Sequence, residues 1–279
     1  MLITDAQVHV WKANTPDRPW RAGEKSHRAV PLEVPELLRE MDAAGINRAV
    51  LVPPFLDGER NDLALAAAAE HPDRFAVMGR VDLEDPASAG KIPGWRKQPG
   101  MLGFRYSFHR PAIASLLAED RVNWLWEGCE KAGVPIMVHV EHPVLYQVDR
   151  VAARYPGLKL ALCHMSIPMR KKDDEAFKDL DKLLALAKRP NVSVKVSALP
   201  CYTNETYPYR GLHPHVRRVY DAFGARRMFW GSDFSRLPAH ATYRQTLEMF
   251  TKEMSWLSAA DLEWIMGRAL NTWLDWKPY

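Results

Sequence analysis

Five polar side chains stand at the ends of short apolar runs. His9 closes the first of them, His139 closes 134–138, His164 closes 158–163, Lys195 sits late in 192–196, and Asp233 follows 229–231. Gln7 lies two residues before His9, so on a strand the two side chains point to the same side. Imidazole nitrogen and carboxylate oxygen are the donors that a borderline divalent ion such as zinc accepts, so His9, His139 and Asp233 could hold one and leave a position for water. Such an ion lowers the pKa of its bound water toward neutrality and polarises a carbonyl. Asp233 could also take the proton of an attacking water, with His164 orienting or protonating the substrate.

A second set is cationic. Arg105, Lys195 and Arg236, with Arg21 or Arg28 from the first long loop, would line a pocket suited to a carboxylated substrate, because guanidinium meets carboxylate in a bidentate fork. Taken singly, each arginine reads more readily as a surface residue. Arg105 is the best placed, since Gly103 and Phe104 put it on a strand. Tyr202 belongs to a long loop that reaches the same end and joins the substrate-binding candidates.

What brings these residues together is a recurring pattern. A helical stretch ends at Gly or Asn, and within one to three residues a β-branched or apolar run begins, at 41–52, 129–140, 153–164, 188–198 and 221–233. Gly supplies the left-handed residue that stops the helix, and the run lacks strict polar alternation, as buried parallel strands do. Further strands at 2–10, 74–81 and 101–106 make eight. Helices are expected at 32–43, 60–70, 120–131, 144–154, 173–187, 213–222 and 240–253, with a weaker one near 86–92. A last helix at 258–274 opens with a Ser258/Asp261 capping box and is expected on the outside of the barrel.

Eight β/α units in 279 residues indicate an α/β fold, a single (β/α)8 TIM barrel over 1–279 with an additional C-terminal helix, and in such barrels the residues at strand C-termini converge on one axis. One histidine after a buried strand is as readily a core residue. Five polar groups at five strand ends are poorly explained that way, because unpaired buried charge is costly. The loops 12–31 and 200–214 lie at the same end, either as ordered surface loops or as binding loops.

Composition excludes other classes. The net charge of +4, from 38 basic and 34 acidic residues, comes without a basic tract, so a nucleic-acid surface is not indicated. Cys129, Cys163 and Cys201 are an odd, widely spaced set and read as reduced thiols. With neither a signal peptide nor a membrane span legible, a soluble cytoplasmic protein is expected. No GxGxxG, Walker or GxSxG motif is present. Ten Trp residues would serve a homodimer interface or core packing equally well.

The stretches DAQVHVW, GFR at 103–105, PIMVHVEHP at 135–143, ALCHMS at 161–166, VKVSAL at 194–199 and GSDFSR at 231–236 together resemble the amidohydrolase superfamily. The nearest match is its second family, which includes dicarboxypyrone and sugar lactonases and aminocarboxymuconate-type decarboxylases. The resemblance implies a distorted (β/α)8 barrel. The family's first-strand Asp-x-His-x-His becomes Asp5-Ala6-Gln7-Val8-His9, so Gln7 replaces the first histidine. The fifth- and sixth-strand histidines match His139 and His164, and the eighth-strand aspartate matches Asp233. A carboxamide oxygen is a weaker ligand than imidazole, which leaves three states open: an ion on His9, His139 and Asp233, an ion loosely held with Gln7, or none. Hydrolysis of a small carboxylated lactone or cyclic ester is the leading reading. The alternatives are metal-dependent non-oxidative decarboxylation of an aromatic or dienyl acid, and a binding protein without catalysis.

Overall fold

On the strand Val192–Ser197, three valines alternate with Ser193, Lys195 and Ser197. Because successive side chains point to opposite faces, the valines pack outward into the large apolar cluster beneath the helices, and the serines and lysine face the barrel axis. This strand is the seventh of eight in a computed structural model that describes residues 1–277. The strands are β1 (Thr4–Val8), β2 (Arg48–Leu51), β3 (Phe75–Gly79), β4 (Met101–Tyr106), β5 (Ile136–Val138), β6 (Leu160–Leu162), β7 (Val192–Ser197) and β8 (Met228–Gly231). They pair in parallel in sequence order, with helices between, as a (β/α)8 barrel.

Asp5 closes the seam between β8 and β1. Its buried carboxylate accepts from the Ser232 and Gln7 N–H groups, both at 2.9 Å, from the Tyr243 hydroxyl at 2.6 Å, and from the Ser232 hydroxyl. Beside it, a Cβ on Gly231 would meet Ala6 and Asp5 atoms at 3.2 Å, so the seam is built around a residue without a side chain.

The helix stops behave as their chemistry requires. Gly45 and Gly133, at φ 77° and 65°, end the helices Val34–Ala44 and Asn123–Ala132 in the left-handed conformation, which a Cβ would penalise. The Ser258/Asp261 box is present. Three expectations are corrected. An additional helix, Pro111–Ala118, precedes Asn123–Ala132, with Pro111 in its first turn where no N–H is needed. The stretch 173–187 is broken into Asp173–Phe177, Leu180–Leu184 and a short 3-10 turn.

The third correction concerns the C-terminal segment, which does not lie on the outside of the barrel. Ala269, Leu270, Leu274 and Trp276 join the interior-facing Ala6, Val50, Ala76, Met78, Met137, Ala161 and Phe229 in a second apolar cluster. A Cβ on Gly267 would stand 2.3 Å from the Leu2 carbonyl oxygen, at the start of β1. The segment therefore plugs the end of the barrel remote from the strand C-termini, because its apolar face has the unfilled barrel interior to cover. All three cysteines are buried and free, and no helix among the described residues is long and apolar enough to cross a membrane.

Candidate active site

The strand C-termini surround a cleft of about 600 Å³, measured out to open solvent, lined by Gln7, His9, Arg105, His139, His164, Asp233 and Arg236, with Trp11 and Phe55 as apolar wall. Two of these side chains are turned inward by unusual backbone. His164 and Asp233 have φ of 53° and 54°, a left-handed conformation that costs a non-glycine residue about 1 kcal/mol or more. It redirects each side chain from the strand direction into the cleft.

Gln7 is the hub. Its Nε2 lies 3.1 Å from Asp233 Oδ1 and 3.2 Å from both His9 Nε2 and His164 Nε2. Its Oε1 accepts from the Lys195 ammonium at 2.5 Å. An ammonium has no lone pair, so Lys195 fixes the amide with its two N–H bonds toward the cleft. Two N–H bonds face three acceptor atoms, which leaves one acceptor in the cluster open to a further proton.

The rings are oriented from behind. His9 Nδ1 stands 2.6 Å from the Val52 carbonyl oxygen and must donate to it, turning Nε2 toward Asp233 Oδ1 at 3.2 Å. His164 Nδ1 meets the Ser197 hydroxyl at 2.8 Å. Arg105 donates to the Ser107 hydroxyl and places Nη2 3.5 Å from His139 Nδ1. That contact is long, yet guanidinium can only donate, so Nδ1 is the acceptor side of the ring and Nε2 carries the proton. His139 Nε2 is buried and has no partner among the described residues.

Burial and the surrounding cations set the charges. Burial, reinforced by His109, His164, Arg105 and Arg236, holds His139 well below the ordinary histidine range; burial does the same to His164, with Lys195 and Arg236 adding to it. Both rings are therefore neutral at neutral pH. Burial alone would raise the pKa of Asp233. The hydrogen bond with His9 and the nearby Arg236 cation outweigh it and hold the carboxyl well below its usual range.

An ionised carboxylate and a proton-bearing, unpartnered imidazole nitrogen facing one cleft are the parts of an acyl-transfer site. The amidohydrolase family profile matches residues 4–269. The chain belongs to the amidohydrolase family. An L-fucono-1,5-lactonase of Burkholderia ambifaria is 29% identical to this amidohydrolase over 259 residues, 85% of this chain and 82% of the relative. An amidohydrolase of Burkholderia multivorans crystallised with zinc superposes with a TM-score of 0.83 at 22% identity, covering 99% of each chain. A probable 2-pyrone-4,6-dicarboxylic acid hydrolase of Acinetobacter baumannii, with citric acid bound, superposes at 0.76 with 17% identity over 99% of this chain and 100% of its own.

In this amidohydrolase the donors do not fit a metal ion as they are arranged. Gln7 presents N–H rather than oxygen, and His139 presents its protonated nitrogen. Among the described residues no three His, Cys, Asp or Glu side chains are grouped to hold an ion. Of the other candidates, Lys195 and Arg236 join the cluster, whereas Arg21, Arg28 and Tyr202 do not reach it. Lys195 is fully buried beneath Gln7 and acts through it. Arg236 reaches within 3.6 Å of Asp233 Oδ2. Arg21 pairs with Glu59 at 2.5 Å and lines a neighbouring cleft. Arg28 pairs with Glu36 at 2.6 Å, outside the lining. Tyr202 is buried with its ring 5.7 Å from the Arg236 guanidinium, and burial pushes its hydroxyl up to about 12. Sequence reasoning passed over Ser107 and Ser197. The two serines carry a signal, each lying two residues beyond a candidate on the same strand face.

Proposed function

We propose that this amidohydrolase hydrolyses a small lactone bearing a carboxylate, using its own side chains for the chemistry. The observation that carries this reading is the partnerless His139 Nε2–H sharing a cleft with an ionised Asp233. The substrate carbonyl oxygen accepts from His139 Nε2. Asp233 takes a proton from water, whose oxygen attacks the carbonyl carbon, and the carbonyl π electrons move onto the oxygen held by His139. Collapse of the tetrahedral intermediate breaks the ring C–O bond. The leaving ring oxygen recovers the proton from Asp233, whose depressed pKa makes its acid form a ready donor. The product is a hydroxy acid, and Arg105 and Arg236 hold the anionic substituent.

Lactonase relatives and a pyrone hydrolase among the structural neighbours support the reading. The zinc expectation would require Gln7 to turn over against Lys195 and His139 to change tautomer. Decarboxylation, for which an ion was the premise, is disfavoured on the same two contacts. Three free thiols favour a reducing compartment and the cytoplasmic expectation. The test is turnover of a lactone panel in ¹⁸O-water. Label in the new carboxylate with none in the hydroxyl is expected. Release of CO₂, or label in the hydroxyl, overturns the mechanism.

A further inference from the structure

His139 Nε2 is one of several buried polar atoms that belong to residues lining the cleft and have no partner among the described residues. Two others, Trp11 Nε1 and Ser235 Oγ, take no part in the chemistry above. Their residues are 2% and 1% exposed, so neither group is shared with bulk water. Trp11 lies two residues past His9 and Ser235 two residues past Asp233, so they follow β1 and β8, the strands that meet at the Asp5 seam. Both are held in place by their surroundings. The Trp11 main-chain N–H donates to the Leu32 carbonyl at 3.1 Å, across the neck of the first long loop. Phe234, beside Ser235, stacks on Tyr243 with ring centroids 4.6 Å apart, and the Tyr243 hydroxyl is bonded to Asp5.

An indole nitrogen donates and cannot accept, whereas a hydroxyl does both. A buried polar group left unsatisfied costs about 1 to 3 kcal/mol, and the open space that these two side chains border is the cleft. What completes them is an oxygen of the bound molecule. That oxygen is neutral. Asp233, ionised, stands two residues before Ser235, and the neighbouring Arg236 already faces Asp233 Oδ2 at 3.6 Å. A second carboxylate on this wall would meet a like charge. A hydroxyl accepts from the indole N–H and exchanges a hydrogen bond with the serine in either direction.

We propose that Trp11 and Ser235 are specificity-determining residues, which bind hydroxyl substituents of the lactone through Trp11 Nε1–H and Ser235 Oγ. This deepens the lactone reading and rests on it. His139 follows β5, across the barrel axis from β1 and β8, so a carbonyl held by His139 leaves the far edge of the ring facing the seam. A hydroxylated edge satisfies both groups. A hydrocarbon edge buries both without partners, and a site built to bond a hydroxyl rejects the analogue that lacks it for that reason.

The experiment compares kcat/KM for hydroxylated lactones and their deoxy counterparts in wild-type protein, Trp11→Phe, Ser235→Ala and Ser235→Thr. Trp11→Phe keeps an aromatic wall and removes the N–H, and Ser235→Ala removes the hydroxyl. Each should lower the ratio of hydroxylated to deoxy turnover by about threefold to tenfold, mainly through KM. Ser235→Thr, which keeps a hydroxyl, should retain more of the ratio. An unchanged ratio in either deletion variant overturns the assignment of that residue, as it would if bound water satisfied the group. Should Trp11→Phe fail to fold, replacing Trp11 by benzothienylalanine, which keeps the fused rings and puts sulfur in place of the N–H, decides by the same ratio. Should wild-type protein turn over no lactone, the hydrolase reading fails separately. Calorimetric titration with a hydroxylated lactam and its deoxy counterpart then tests the pair, with equal affinity for the two overturning it.

Discussion

Lys195 Nζ donates to Gln7 Oε1 at 2.5 Å across 188 residues of chain, and this contact sets the polarity of the candidate cleft. With the oxygen of the amide held from below, the cleft receives N–H bonds where a ligand position would offer a lone pair. Chelation and dialysis should therefore leave kcat/KM unchanged, and added zinc should not raise it. Metal analysis of the dialysed protein checks the premise. Activity lost on chelation and restored by zinc would overturn the arrangement.

Replacing Gln7 by glutamate separates its two functions. The introduced carboxylate would still accept from Lys195, but it would stand beside Asp233 and bring no N–H bonds to the cleft. A like charge within hydrogen-bond reach raises a carboxyl pKa by about a unit or more. In wild-type protein the acid limb of the kcat/KM profile should lie below the ordinary aspartate value of about 3.9, because Asp233 is held well below it. In Gln7→Glu the limb should move to higher pH and the plateau should fall. Coincident limbs in the two proteins would show that Asp233 is not the base.

His139 donates to the transition state rather than to the ground state in this mechanism, so its loss should fall on kcat. Replacing one oxyanion donor costs about a hundredfold to a thousandfold. His139→Phe should show that loss with KM little changed, and His139→Gln, which keeps an N–H, should lose less. Equal losses in the two variants would assign the residue to packing.

The arrangement of these residues was legible in the sequence to the extent that local rules govern it. Gly45 and Gly133 mark helix stops because only glycine takes the left-handed position cheaply, and parallel strands that follow such stops must bring His9, His139, His164 and Asp233 to one end. The placement of the segment around Gly267 was not legible, since an amphipathic pattern does not say which apolar surface it covers. Nor was the Lys195–Gln7 contact, which depends on barrel register.

The seam at Asp5 gives a stability prediction independent of catalysis. Its carboxylate accepts from two backbone N–H groups and two hydroxyls. Asp5→Asn would turn an amide donor toward some of these donors. Each buried donor left unsatisfied costs about 1 to 3 kcal/mol, whereas Tyr243→Phe, which deletes one bond, should cost about 1 kcal/mol. Urea unfolding measures both, and equal small losses would mean that the seam relaxes around the change.

Buried neutral histidines make the fold acid-sensitive. His139 and His164 have native pKa values well below that of the unfolded chain, about 6.5. Above pH 6.5 neither state binds the proton and stability is fully present. Below it the unfolded chain takes up protons that the native state refuses, and each ring lowers stability by up to about 1.4 kcal/mol per pH unit until its native pKa is reached. Asp233 acts in the same direction at lower pH, since its contribution is present above about 3.9 and lost as pH falls through its depressed value. The urea midpoint should therefore drop between pH 7.5 and 5, and His139→Gln should flatten that drop. A midpoint constant across this range would mean that the two rings are protonated in the native state, which would remove the neutral Nε2–H donor on which the proposed chemistry depends.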